Sequence, residues 1–178
     1  GIEVFFALLA PGYHLYERFF NLGEAEREHR RMVEVLQNGF QVRVDRLEEA
    51  VVQGAGYRAA IRQGLRELAE RRLERRCAIP EGELPPRLRA ELCIPLPLEE
   101  RDSEHLFRIA LLDPVLTIAR DRVRVELDNP LYNLYFMRDQ QVATDRGMVL
   151  GRMATADRGG EVEVSRLALR ALELPIAH

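Results

Sequence analysis

The sequence contains no lysine, and all 26 of its basic residues are arginine. That absence excludes a lysine Schiff base and a P-loop lysine. Cysteine is almost as scarce. Cys77 and Cys93 stand alone, without CxxC or CxxH spacing, so they indicate neither a zinc site nor a disulfide framework. Both are expected to be reduced structural thiols, since neither is flanked by a plausible base. Long apolar runs are missing too. The longest uncharged stretch near the start, from Val4 up to Glu17, is broken by Pro11 and Gly12, which is too short to span a bilayer. It also lacks the basic leader and cleavage site of a secretory signal. A net charge of −3 argues against a general nucleic-acid binder, which usually needs a basic face. Together these absences lead to the expectation of a cytoplasmic protein that engages neither nucleic acid nor membrane. No metal site is expected. His14, His105 and His178 have no nearby second ligand, and His29 is expected to be a structural histidine on an apolar helix face.

What is present is enough for one domain with a real core: 178 residues, 47% hydrophobic and 31% charged. Ile2–Leu9 is apolar on both faces, as a strand covered from both sides would be. From Leu22 to Gln37, apolar residues at helical spacing predict a helix. Gly39 is placed as its cap, and Phe40, Val42 and Val44 alternate with polar residues as a strand would. Leu47–Val52 reads as a short helix and Tyr57–Arg76 as a long one, with Ile61, Leu65, Leu68 and Leu73 on its inner side. The arginines and interleaved glutamates of that segment read as a solvated, self-paired face. Five prolines then punctuate short pieces, of which Arg87–Leu92 and Ser103–Leu112 should be helical. Val123–Leu127 alternates as a half-exposed strand. A further strand is expected at Met148–Met153, a helix at about Glu161–Leu174, and the start of a strand at Pro175–His178.

The stretch that carries chemistry is Asn129–Asp139, continued by Gln140 and Gln141. It sets Arg138 and Asp139 side by side directly after Tyr132, Tyr135 and Phe136. A carboxylate among aromatic rings can hold a cationic ligand, because water is excluded there and the charge needs a partner. Equally, Arg138 and Asp139 could simply neutralise each other beside an aromatic core.

The run from Pro130 to Met153, with NLYFMRDQQ at its centre, resembles the signature of arginine deiminases, which are guanidine-modifying enzymes. An R-x-x-E element follows at Arg158 and Glu161 with the family's spacing, and LYERFFNLGEAEREHRRM resembles the family's first helix. The resemblance covers about Ile2–Arg46 and Leu127–His178. It implies an α/β fold, the pentein α/β-propeller of ββαβ units, here partial and with a helical insertion. Residues 1–46 would be a first, partial propeller unit, 47–118 the helical insertion, and 119–178 a second unit with the substrate-binding motif.

The resemblance also implies site roles. Asp139 would be a catalytic carboxylate gripping the substrate guanidinium, and Phe136 would pack over the planar group. Asn133 would hydrogen-bond the amino-acid end, and Arg158 would pair with the α-carboxylate. It implies hydrolysis of L-arginine to L-citrulline and ammonia through a cysteine thiouronium, no cofactor, and a homo-oligomer acting on a small molecule. The nucleophilic cysteine and catalytic histidine of the family have no counterpart here, so the chain is expected to be the N-terminal part of a longer enzyme, inactive alone. Where family members carry threonine and proline around the Arg-Asp pair, this chain has Met137 and Gln140. An amidinotransferase, another guanidino hydrolase, or a non-catalytic guanidine sensor therefore stays open.

Overall fold

Where the sequence predicts helices at Leu47–Val52 and Tyr57–Arg76, the computed structural model has helices at Leu47–Tyr57 and Ala59–Arg72 and a strand at Glu74–Cys77. It describes residues 21–79, 83, 85–87, 97–119, 123–135 and 137–177. The expected strand Ile2–Leu9, most of the expected helix Arg87–Leu92, and Cys93, Phe136, His14 and His178 lie outside the described residues. The chain divides into two compact units, residues 1–46 and 47–178.

In the first unit, helix α1 (Leu22–Glu34) begins at Asn21, whose side chain accepts from the Glu24 N–H at 3.2 Å. Glu24 in the first turn and Arg31 in the last both suit the helix dipole. A π-helical turn, Val35–Gly39, ends it. The alternation from Phe40 to Asp45 does not form a strand. Gln41 sits at φ 55, outside extended geometry, and the Val42 N–H bonds back to the Leu36 carbonyl at 2.9 Å. His29 is exposed, so it is not the enclosed structural histidine the apolar pattern suggests.

The second unit begins with α2 (Leu47–Tyr57) and α3 (Ala59–Arg72). Between them Arg58 alone is extended, at φ −122 and ψ 109. Its guanidinium donates to the Arg170 carbonyl at 3.1 Å and to Glu173 at 2.6 Å, which holds the break in place. After α3, Leu73 turns extended and β1 (Glu74–Cys77) pairs in parallel with β2 (Pro114–Ile118). The charged run Glu74–Arg76 looks helical locally, but strand pairing supplies its backbone partners instead, and tertiary context overrides propensity. β2 pairs antiparallel with β3 (Val123–Leu127), giving the order β1-β2-β3. β3 is exposed along its whole length rather than on one face.

Helix α4 (Ser103–Leu112) matches its expected bounds. Asp102 caps it by accepting from the His105 N–H at 2.7 Å, and Asp113 ends it in the left-handed conformation, φ 50. Later come a 3-10 turn at Tyr132–Tyr135, the hairpin β4 (Gln141–Thr144) and β5 (Gly147–Leu150), a 3-10 turn at Ala156–Arg158, and α5 (Gly159–Ala171). The Leu174 N–H closes α5 on the Leu169 carbonyl while Glu173 takes φ 58, which ends the helix before the expected Leu174. The strand expected at Pro175–His178 is a single parallel bridge, Met148 to Ile176.

One core joins the helices of the second unit. Val51 and Ala55 of α2, Leu65 and Leu68 of α3, Leu106 of α4, Leu131 of the loop, and Val164 and Leu167 of α5 are buried together. Residues 47–118 and 119–178 therefore share one apolar interior. Helix α2 crosses α5 at close range, because Gly54 has no side chain there. A Cβ at Gly54 would stand 2.5 Å from that of Ala171. Gly54→Ala should lower the unfolding free energy by about 1–3 kcal/mol through overpacking. Adding Ala171→Gly should recover part of that loss in urea unfolding, and no recovery would mean that the helices do not meet at this pair.

Candidate functional site

Asp139 and Gln140 lead directly into β4, and the hairpin fixes their backbone. The Gly151 N–H donates to the Gln140 carbonyl at 2.8 Å, and a Cβ at Gly151 would come within 3.3 Å of the Asp139 carbonyl oxygen. Arg158 arrives from the opposite side, as the last residue of the 3-10 turn before α5. Glu161 stands in the first turn of α5, where a carboxylate suits the helix dipole, and is 2% exposed.

These four side chains meet. Arg158 Nε lies 3.2 Å from Glu161 Oε1 and 3.0 Å from Oε2, and its Nη2 lies 2.8 Å from Oε2. The same Nη2 donates to Asp139 Oδ2 at 3.0 Å. Gln140, fully buried, donates its Nε2 to Glu161 Oε2 at 2.7 Å. The hydrogen bonds to Glu161, helped by that to Asp139, hold the Arg158 pKa above its ordinary value despite partial burial. Glu161 is thus the enclosed partner of Arg158. Asp139, with its side chain 40% exposed and one bond from Arg158, is the accessible one.

Asp139 pairs with Arg158 and not with its neighbour Arg138, which is exposed. The two groups expected to grip opposite ends of an extended ligand are in direct contact, with no ligand-length gap between them. Asn133 is buried in the same loop, 5% exposed, and its Oδ1 has no hydrogen-bond partner among the described residues. Phe136 lies outside those residues. Cys77 is exposed, its Sγ 3.7 Å from the Ile79 carbonyl. Among the described residues, no cluster of His, Cys, Asp or Glu could hold a metal ion, and no helix is long and apolar enough to cross a membrane.

Sequence reasoning gave no role to Glu161 or Gln140. The signal for Glu161 was available in its position three residues after Arg158, at the head of a helix whose next apolar residues face inward. A second group behind the loop was not anticipated at all. Arg72, at the end of α3, has its side chain 11% exposed and pairs with Asp113 at 3.3 Å. It also donates to the Asn129 carbonyl. Asn129 Nδ2 in turn donates to the Asp157 carbonyl at 3.0 Å, one residue before Arg158.

The site pairs a guanidinium with two carboxylates, and the stretch that forms it is similar to known proteins. Residues 109–171 match the family model of arginine deiminase, and Asn133, Asp139, Gln140, Arg158 and Glu161 all fall inside the match. The chain is also similar to the arginine deiminase of Halobacterium salinarum, 43% identical over 53 residues. That stretch covers 30% of this chain and 11% of the relative's length.

The Arg72–Asp113 pair makes a pH-dependent contribution. Burial raises the Asp113 pKa above the ordinary carboxylate range, outweighing the opposite pull of Arg72, and burial also lowers the Arg72 pKa. A carboxyl whose pKa is raised on folding favours the folded state in its protonated form. The stability of the wild-type chain relative to Asp113→Asn should therefore be greatest below about pH 4. It should fall as pH rises through the raised Asp113 pKa and then level. Urea titrations in which the difference grew with pH would show that the pairing term, not burial, dominates.

Proposed function

We propose that this chain is part of a guanidino-group hydrolase of the arginine deiminase type, converting L-arginine and water to L-citrulline and ammonia. The contact between Asp139 and Arg158 is the observation that supports this most. Asp139 already accepts a planar guanidinium, and its partner is a guanidinium that Glu161 holds independently. A ligand carrying both a guanidinium and a carboxylate matches both halves of that pair at once. Binding such a ligand parts Asp139 from Arg158, which are in contact without it: its guanidinium replaces Arg158 on Asp139, and its carboxylate takes up the released Nη2 of Arg158. One internal ion pair is exchanged for two intermolecular ones, and the α-ammonium of L-arginine brings one further positive charge. Arg158 stays charge-compensated throughout, because its Nε remains on Glu161.

On this reading Asn133 bonds the amino-acid end of the ligand and Phe136 covers the guanidinium plane. In the reaction a thiolate attacks the guanidinium carbon, ammonia departs from the tetrahedral adduct, and water then releases citrulline from the thiouronium. Neither Cys77 nor Cys93 is assigned that thiolate, so the 178-residue chain binds the substrate without turning it over. The order β4, β5, α5 is a ββα sequence, with the isolated bridge at Ile176 where a last strand of a ββαβ unit would stand. That order supports reading residues 119–178 as a unit of a pentein propeller, with 1–46 as a partial first unit. The enzyme is read as cytoplasmic and oligomeric.

L-arginine at about 100 times its Kd should stabilise the chain by about 2.7 kcal/mol, a rise in Tm of roughly 5–10 °C. Asp139→Asn should remove most of that rise, and L-citrulline, whose ureido group carries no charge, should produce little. If arginine left the melting curve unmoved, or shifted wild type and Asp139→Asn alike, the reading would be wrong.

A further inference from the structure

The two arms of the site are joined at their roots by one side chain. The loop that carries Asn133 and Asp139 has Asn129 at its root, two residues after β3, and the turn that carries Arg158 passes Asp157 immediately before it. Asn129 Nδ2 donates to the Asp157 carbonyl at 3.0 Å, a bond that links positions 28 apart in the chain. The Asn129 backbone carbonyl is itself held by the guanidinium of Arg72. Arg72 is fixed in its turn by Asp113, and its side chain is nearly enclosed. The loop has little freedom to drift around this point. Asp128 N–H donates to the Asp113 carbonyl at 3.0 Å, and Leu131 N–H to the Leu111 carbonyl at 2.8 Å. The head of α5 closes on the same group, since a Cβ at Gly160 would meet Arg72 Nη1 at 3.1 Å and Leu131 Cδ2 at 3.0 Å.

We propose that Asn129, anchored by Arg72, is a positioning residue that keeps the segments carrying Asp139 and Arg158 side by side, and thereby sets the preference for ligands that carry both a guanidinium and a carboxylate. The proposal rests on the guanidine-binding reading above. Neither residue touches the ligand. Arg72 is in α3, outside the matched stretch 109–171, so the register of the site is fixed partly by a helix elsewhere in the unit. The physical reason is geometric. Asp139 and Arg158 lie on two separate irregular segments, and two-ended recognition demands that both be in place together, whereas a one-ended ligand needs only Asp139. Removing the Asn129 amide leaves the backbone carbonyl that Arg72 holds, so the loop root stays anchored while the turn before Arg158 is released.

The test compares L-arginine with agmatine, the same guanidine without its carboxylate, by calorimetric titration of the 178-residue chain. Wild type should prefer arginine. Asn129→Ala should lower that preference about tenfold or more while agmatine affinity changes less than about twofold. Arg72→Lys, which keeps one charge but loses the planar fork, should act in the same direction. A variant that had merely lost stability would weaken both ligands alike, and that result would overturn the proposal, as would an unchanged arginine-to-agmatine ratio in both variants. Wild type that bound arginine with no preference over agmatine would overturn it too. Absence of binding by either ligand to wild type would instead remove the guanidine-binding reading, and this proposal with it.

Discussion

A carboxylate that is 2% exposed must be surrounded by donors, and at Glu161 two are supplied, by Arg158 and Gln140. The rest of the site depends on that requirement. Arg158 is tied to the head of α5 whether or not Asp139 is engaged, so it is held in place as a cation beside the loop. Gln140 is tied to the same oxygen, so the residue next to Asp139 is fixed with it. Asp139 itself is bound less completely, and this difference between two acidic groups on one arginine gives the site its chemistry. One acid is structural and the other is exchangeable.

The fold serves to hold α5 where that bond can form. Its inner face packs against α2 at Gly54 and against α3 at Gly64, where a Cβ would meet Leu167 Cδ2 at 2.8 Å. Arg58 ties the break between α2 and α3 to the far end of α5, through the Arg170 carbonyl and Glu173. At the near end Arg72 approaches Gly160. Of the two arginines at the ends of α3, Arg58 thus holds one end of the helix that carries Glu161, and Arg72 packs beside the other. In a chain with no lysine, this reflects what the guanidinium offers: several donors in a fixed plane, able to serve a carboxylate and a carbonyl together.

Elements with a strong periodic signal and clear caps were legible in the sequence. α4 begins behind Asp102 and ends at Asp113, and β3 spans the residues whose alternation marked it, although both of its faces are exposed. The pairing partner of Asp139 was not legible, because Arg138 adjoins it in sequence whereas Arg158 is 19 residues further on and only folding brings it near. β1 was misread because its charges look helical until β2 is present to pair with them. The segment after Phe40 failed in the opposite sense, since its alternation is that of a strand but Gln41 adopts a conformation no strand accepts. The burial of Glu161 and the Arg72–Asn129 linkage depend on contacts between segments far apart in the chain, and local pattern does not encode those.

The central claim is that Glu161, not Asp139, is the structural partner of Arg158. A double-mutant cycle built from Arg158→Gln and Glu161→Gln, read in urea unfolding, tests it most directly. The account predicts a coupling energy of about 2 kcal/mol or more for this enclosed pair, and less than about 1 kcal/mol for the matching cycle with Asp139→Asn. Coupling of only a few tenths of a kcal/mol between Arg158 and Glu161, or a larger value for Asp139, would contradict it.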